Sequence, residues 1–298
     1  MTIAEHPMDD FPVRNLTFDL KNVDFQDPLW SKTSPEFSMF INALGIHVPY
    51  FERYLIRALS TAKKHIRDEK LLRDVSAIIG QEGHHAKNFI QVNSWLAKRY
   101  PKVKDLDARA KDYFTDHAKK DDLKKLLGFT AGYETFTFLA GLIVLDKYDH
   151  WMKDSDGVMR ALWIWHQVEE VEHGAVAYEV YQEMFGHEEW YRKWMVLKAL
   201  THIAHETVSA YVHMSKVEGW LRNPFKAAKK LGFCGYMLTR LLVSALPVFK
   251  RNYHPRHHPF VTTEQNEIQI AWRRYQKEGG DVLEINHEKV EHMLQKAA

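Results

Sequence analysis

His166, Glu170 and His173 stand four and then three residues apart, so on a helix all three side chains leave one face and reach a common point. Imidazoles and a carboxylate at that spacing suit a metal ion. Upstream lies a matching piece, Glu82-Gly83-His84-His85, a second Glu-x-x-His. The pattern alone is weak, because 21 Glu and 18 His in 298 residues give about one match by chance, and Glu284-x-x-His287 in the polar tail reads as such a match. The other two differ in their setting. They lie in the apolar rows of long amphipathic stretches, where an unpaired carboxylate is costly and escapes by protonation, ion pairing or metal binding.

Two more carboxylates share that setting. Glu52 precedes Glu82 by 30 residues and Glu134 precedes Glu170 by 36, so each half reads as a helix with one Glu, a connector, and a helix with Glu-x-x-His. With few Lys or Arg in the same rows, the four carboxylates cannot all be ion-paired. Two divalent cations would neutralise Glu52, Glu82, Glu134 and Glu170, with His85 and His173 completing the sites; carboxylate bundles hold di-iron or di-manganese pairs in this way. His166 is read as a third histidine ligand, or else as a histidine of the surrounding core. His202, His205 and Glu206 could reach the metals or orient a ligand, against a surface reading. His84 falls at a helix interface. Glu169 and Glu172 point off the ligand row and are expected in solvent, and Cys234 has no accompanying motif.

The elements that must carry these residues are helical. Residues 1–33 contain Pro7, Pro12 and Pro28 and are expected as a surface arm. Phe37, Phe40, Ile41 and Leu44 then mark a helix interrupted at Pro49. Val75, Ile78, Glu82, His85, Phe89, Val92 and Leu96 repeat at three- and four-residue steps over 68–100, ended by Pro101. A charged connector with a short helix (102–120) leads to a helix from Asp121 and Asp122 to about Asp149. One long helix follows to Gly186, then a fifth at about 188–221, a sixth at 226–249, and polar peripheral helices over the last 38 residues. No strand pattern and no short repeat appear, so the class is all-α, with a helical metal-binding domain over 34–260.

Composition excludes more than it identifies. The formal charge is +2, from 41 basic and 39 acidic residues, which implies no nucleic-acid partner. One cysteine excludes an internal disulfide framework and suits a reducing, cytoplasmic compartment. The amino terminus has no signal-peptide pattern, and the apolar stretch from Tyr236 to Phe249, broken by Arg240 and Pro247, is expected to be too short to span a bilayer.

The set Glu52, Glu82, His85, Glu134, His166, Glu170 and His173 resembles the ligands of the di-iron arylamine N-oxygenases. The sequences around Phe51-Glu52-Arg53-Tyr54, Gln81-Glu82-Gly83-His84-His85 and Tyr253-His254-Pro255-Arg256-His257-His258-Pro259 are more similar to a bacterial family described as predicted metal-dependent hydrolases, over about 33–260. These resemblances imply a ferritin-like four-helix bundle with additional carboxy-terminal helices. They imply two metal ions, iron ahead of manganese or zinc, since carboxylate-rich sites with some histidine suit iron or manganese better than structural zinc. The expected activity is O2-dependent oxidation of a small organic substrate, N-oxygenation included, with an electron donor as partner. The alternative is hydrolysis by a dimetal-activated hydroxide, and iron storage is a third reading. A homodimer is compatible with all three.

Overall fold

The computed structural model describes residues 6, 8–9, 11–20, 27–155, 157–261, 266–283 and 285–295. Glu284, half of the chance-match pair, lies outside them. The described residues form twelve α-helices: α1 (Pro35–Gly45), α2 (Val48–Ala62), α3 (Glu69–Arg99), α4 (Val103–Lys120), α5 (Leu123–Asp146), α6 (Tyr148–Trp151), α7 (Gly157–His173), α8 (Val176–Phe185), α9 (Glu189–Val217), α10 (Pro224–Ser244), α11 (Glu267–Lys277) and α12 (His287–Gln295). The fold is all-α; extended pairing among these residues amounts to an isolated bridge between Ser31 and Ser155.

Four helices form a closed ring. α2 packs on α3 and on α5, α5 on α7, and α7 on α3. Local chemistry sets where they begin. The side chain of Asp68 accepts the Leu71 N–H and starts α3, and that of Asp122 accepts the Lys125 N–H and starts α5. Pro49 falls in the first turn of α2, where its missing N–H costs nothing, so the chain breaks between α1 and α2 as its position predicts. The connector is more regular than expected, because residues 103–120 are helical throughout and place Leu106, Ala110 and Phe114 against the core. The helix expected to continue to Gly186 is divided at Gly174. There a Cβ would lie 2.5 Å from Phe138 Cδ2, so only glycine allows the α5 ring so close.

Two expectations about the chain ends need correction. The amino-terminal arm is built into the fold. Phe11, Arg14 and Phe18 are buried, Gln81 donates to the Pro12 carbonyl, Asn88 donates to that of Leu16, and the Phe18 N–H donates to Asn88 Oδ1. The carboxy-terminal helices are polar but not wholly peripheral, since Trp272 of α11 is fully buried and takes the Arg14 guanidinium over its ring at 4.9 Å.

The apolar stretch near residue 240 also differs from expectation. The helical segment Pro224–Phe249 has 26 residues and is long and apolar enough to cross a membrane by length and composition, because it starts twelve residues before Tyr236. α5 passes the same test, but it is the core helix of the ring and is almost entirely buried.

Candidate metal centre

Each ring helix sends acidic or histidine side chains to one place between the four. α2 supplies Glu52, α3 supplies Glu82 and His85, α5 supplies Glu134, and α7 supplies His166, Glu170 and His173. All seven are at most 3% exposed. They form two groups whose candidate ligand atoms lie within 4.8 Å of one another: Glu52, His85, His166 and Glu170 in one, and Glu82, Glu134, Glu170 and His173 in the other. Glu170 belongs to both. Its Oε1 is 3.1 Å from His166 Nε2 and 3.6 Å from His85 Nδ1, while its Oε2 is 3.3 Å from His173 Nε2. Glu82 also straddles the groups, with Oε2 3.5 Å from His85 Nδ1 and Oε1 3.1 Å from His173 Nε2. Glu52 and Glu134 sit at the ends, 3.6 Å from His166 and 3.4 Å from His173. Glu170 and Glu82 therefore stand between the two groups, and Glu52 and Glu134 stand at their outer ends.

These separations match the edges of a coordination shell. Donors held about 2.0–2.2 Å from one cation lie about 3 to 3.6 Å apart. The polar atoms also lack other partners: both oxygens of Glu52 and of Glu82, Oε2 of Glu134, Nδ1 of His85 and Nε2 of His166 are buried without a hydrogen bond. Buried polar atoms normally find one, so a group of orphans aimed at one another fits cations between them. In the protein alone, the charge is balanced by protons. Burial pushes the Glu52 carboxyl up to about 7 and raises Glu134 well above the usual carboxylate range. Burial also acts to raise Glu170 and Glu82, but the neighbouring histidines outweigh it and hold both low. For His85, His166 and His173 burial favours the neutral ring, and the surrounding carboxylates overcome it and raise all three.

The ring nitrogens that face away from the centre are all engaged. His85 Nε2 lies 2.8 Å from Glu169 Oε2, and His173 Nδ1 lies 3.0 Å from Gln81 Oε1. The Gln167 side-chain nitrogen sits 2.9 Å from His166 Nδ1, and the Gln167 oxygen is buried without a partner. For His85 and His173 the outward acceptor fixes a tautomer whose inward nitrogen can bind a cation; for His166 the same requires the Gln167 amide turned end for end, so that its unpartnered oxygen accepts the Nδ1–H.

Glu169 and Glu172 are the clear departure from the sequence reading. Both are fully buried. Arg14 Nη1 donates to Glu169 at 2.9 Å and to Glu172 at 2.7 Å, Arg273 of α11 pairs with Glu172 at 3.0 Å, and Gln81 Nε2 donates to Glu172 at 3.1 Å. A row of support thus runs from the arm through Glu172 and Gln81 to His173, and from Arg14 through Glu169 to His85. The other candidates are not among the convergent groups. His202 accepts from the Tyr133 hydroxyl at 2.6 Å, Glu206 pairs with Arg109, and His205 is exposed beside Glu206. His84 is partly buried on α3. Cys234 is a free, buried cysteine, and burial pushes its thiol up to about 11.

The family model described as "Predicted metal-dependent hydrolase" matches residues 12–259. The match spans both the arm and the ring, and the chain belongs to that family. No curated protein and no solved structure matches the chain.

Proposed function

We propose that the chain is a dimetal-dependent hydrolase. The observation that carries the dimetal part is Glu170, whose two oxygens face histidines of two different groups. Glu52, His85, His166 and Glu170 would hold one ion, and Glu82, Glu134, Glu170 and His173 the other. Such a pair, when bound, polarises a substrate oxygen and makes hydroxide available near neutral pH. The hydrolytic part is supported by the family description.

The chain's own residues prepare that chemistry. Four carboxylates supply the negative charge that two divalent cations need. Glu169 accepts the His85 Nε2–H and keeps Nδ1 unprotonated and inward, and Gln81 does the same for His173. Phe11 packs edge-on to His173 and Phe18 against Trp165, whose ring meets His85; this apolar cover excludes bulk water. The donor set is oxygen-rich, with two imidazoles at one position and one at the other, which suits iron or manganese.

A second reading has its own support. The ligand residues are at most 3% exposed, which favours a small gaseous co-substrate over a bulky ester. The resemblance of the ligand order to di-iron N-oxygenases points the same way, with O2, a small organic substrate and an electron donor as partners in a ferritin-like bundle.

Metal analysis of purified protein, followed by assays with and without oxygen, tests both. Two metals per chain and ester or phosphodiester cleavage undiminished under anaerobic conditions are expected for hydrolysis. Turnover that requires oxygen and reductant assigns the second reading, and protein that takes up no metal overturns both.

A further inference from the structure

α10 has its apolar character on the wrong side for a helix exposed to water. Its inner face is short, with Cys234, Met237, Leu241 and Ser244 buried against the fold. Its outer face carries Phe225 at 86% exposure, Val243 at 56% and Leu246, in the turn beyond it, at 57%, together with Leu231, Tyr236 and Leu242. At about 100° per residue these six fall on one side of the helix, and the positions between them on that side are only Ala, Gly and Thr. Nothing lies within 4 Å of a Cβ added at Gly232 or Gly235, so no other part of the described chain covers this side. Scattered apolar residues on a surface are ordinary, but a continuous row free of charge over a whole helix marks an interaction surface.

The charge around the row identifies its partner. From Gly219 to Thr263, forty-five residues contain eight Lys and Arg and no Asp or Glu. Lys226 and Lys229 flank the first half of the row, and Lys250 and Arg251 stand at its far end; among the described residues none of these four makes an ion pair. We propose that α10 is a peripheral membrane-binding surface that lies flat on an anionic bilayer. Its outer row enters the boundary of the acyl chains, and the basic residues at its two ends meet lipid phosphates.

The same features argue against two other occupants. A symmetric contact with a second copy would set basic ends against each other, with no carboxylate in the patch to relieve them. A bilayer-spanning α10 would have to leave α1 and α9, on which it packs, and carry Arg240 away from Asp146 into the hydrocarbon. The proposal is independent of the reaction at the metal centre.

The test is sedimentation of the full chain with vesicles of phosphatidylcholine alone and with vesicles that also contain phosphatidylglycerol. Wild type is expected to pellet with the anionic vesicles only. Leu242→Glu with Val243→Glu abolishes that binding, and Lys226→Ala with Lys229→Ala weakens partitioning about thirty-fold. All four side chains project from the outer side or edge of α10, and unchanged circular dichroism and thermal midpoint show that the variants are folded. Equal pelleting with both vesicle types, or a double glutamate variant that binds like wild type, overturns the proposal. So does a wild-type dimer that L242E with V243E separates and that ignores vesicles. Resistance to alkaline carbonate extraction would instead make α10 a spanning helix, and likewise overturns it.

Discussion

Glu169 Oε2 accepts the His85 Nε2–H at 2.8 Å with both groups fully buried, and the other oxygen of the same carboxylate takes Arg14 at 2.9 Å. An imidazole that donates outward to a carboxylate is more basic at its inward nitrogen and cannot rotate away. Glu169→Gln keeps the shape but removes the charge. It is expected to lower the affinity of the centre for its metals about 10- to 100-fold while the secondary structure is unchanged. Competition with a chromophoric chelator measures this, and an unaltered affinity would show that the contact is only packing.

The two-group geometry makes a stoichiometric prediction. Because Glu170 faces both groups, Glu170→Ala is expected to reduce bound metal from two per chain to none, whereas Glu52→Ala, at one end, leaves one. Elemental analysis of the variants after loading and desalting decides between shared and separate sites. Loss of a single metal from Glu170→Ala would mean that Glu170 does not bridge.

Arg14 joins the arm to the ring through two carboxylates that are otherwise enclosed. Removing one partner of a buried ionic group leaves the other charges unpaired, at about 3–5 kcal/mol. Arg273 still reaches Glu172, so Arg14→Met is expected at the lower end, about 3 kcal/mol, with the uncompensated cost on Glu169. Denaturant unfolding of the metal-free protein gives the value. A loss under about 1 kcal/mol would mean that the arm contributes packing alone.

This network also shows where sequence reasoning stops. The seven convergent residues were legible because a helix repeats every 3.6 residues, and ionisable groups in an apolar row stand out without any knowledge of their neighbours. Glu169 and Glu172 fell off that row, and a charge off the row is ordinarily solvated. Their partner Arg14 is 155 residues upstream of Glu169, in a segment without periodicity, so no local pattern links them. One signal was present: Ile164, Val168 and Val171 extend the apolar surface of α7 beyond the ligand row, as expected of a helix enclosed on all sides. The division at Gly174 was hidden for a similar reason. What excludes a side chain there is Phe138 of α5, a contact made only once the helices are packed.

His202 provides a pH prediction away from the metal centre. Burial holds its ring at about 4, below the 6.5 of a free imidazole, and burial lowers His47, whose ring is 5.9 Å away, in the same direction. Between those two values the unfolded chain binds a proton that the native His202 does not. Its contribution to stability is therefore complete above about pH 6.5 and is lost as the pH falls towards 4. His85 and His173, raised by their carboxylates, act with the opposite sign, so the wild-type profile is a sum and only a difference isolates His202. Gln at this position can still accept from the Tyr133 hydroxyl but does not titrate. The drop in unfolding free energy of metal-free protein between pH about 7 and about 5 is expected to be smaller in His202→Gln than in wild type, by at most about 2 kcal/mol. An identical drop in the two proteins would mean that His202 takes up its proton in the native state as readily as in the unfolded chain.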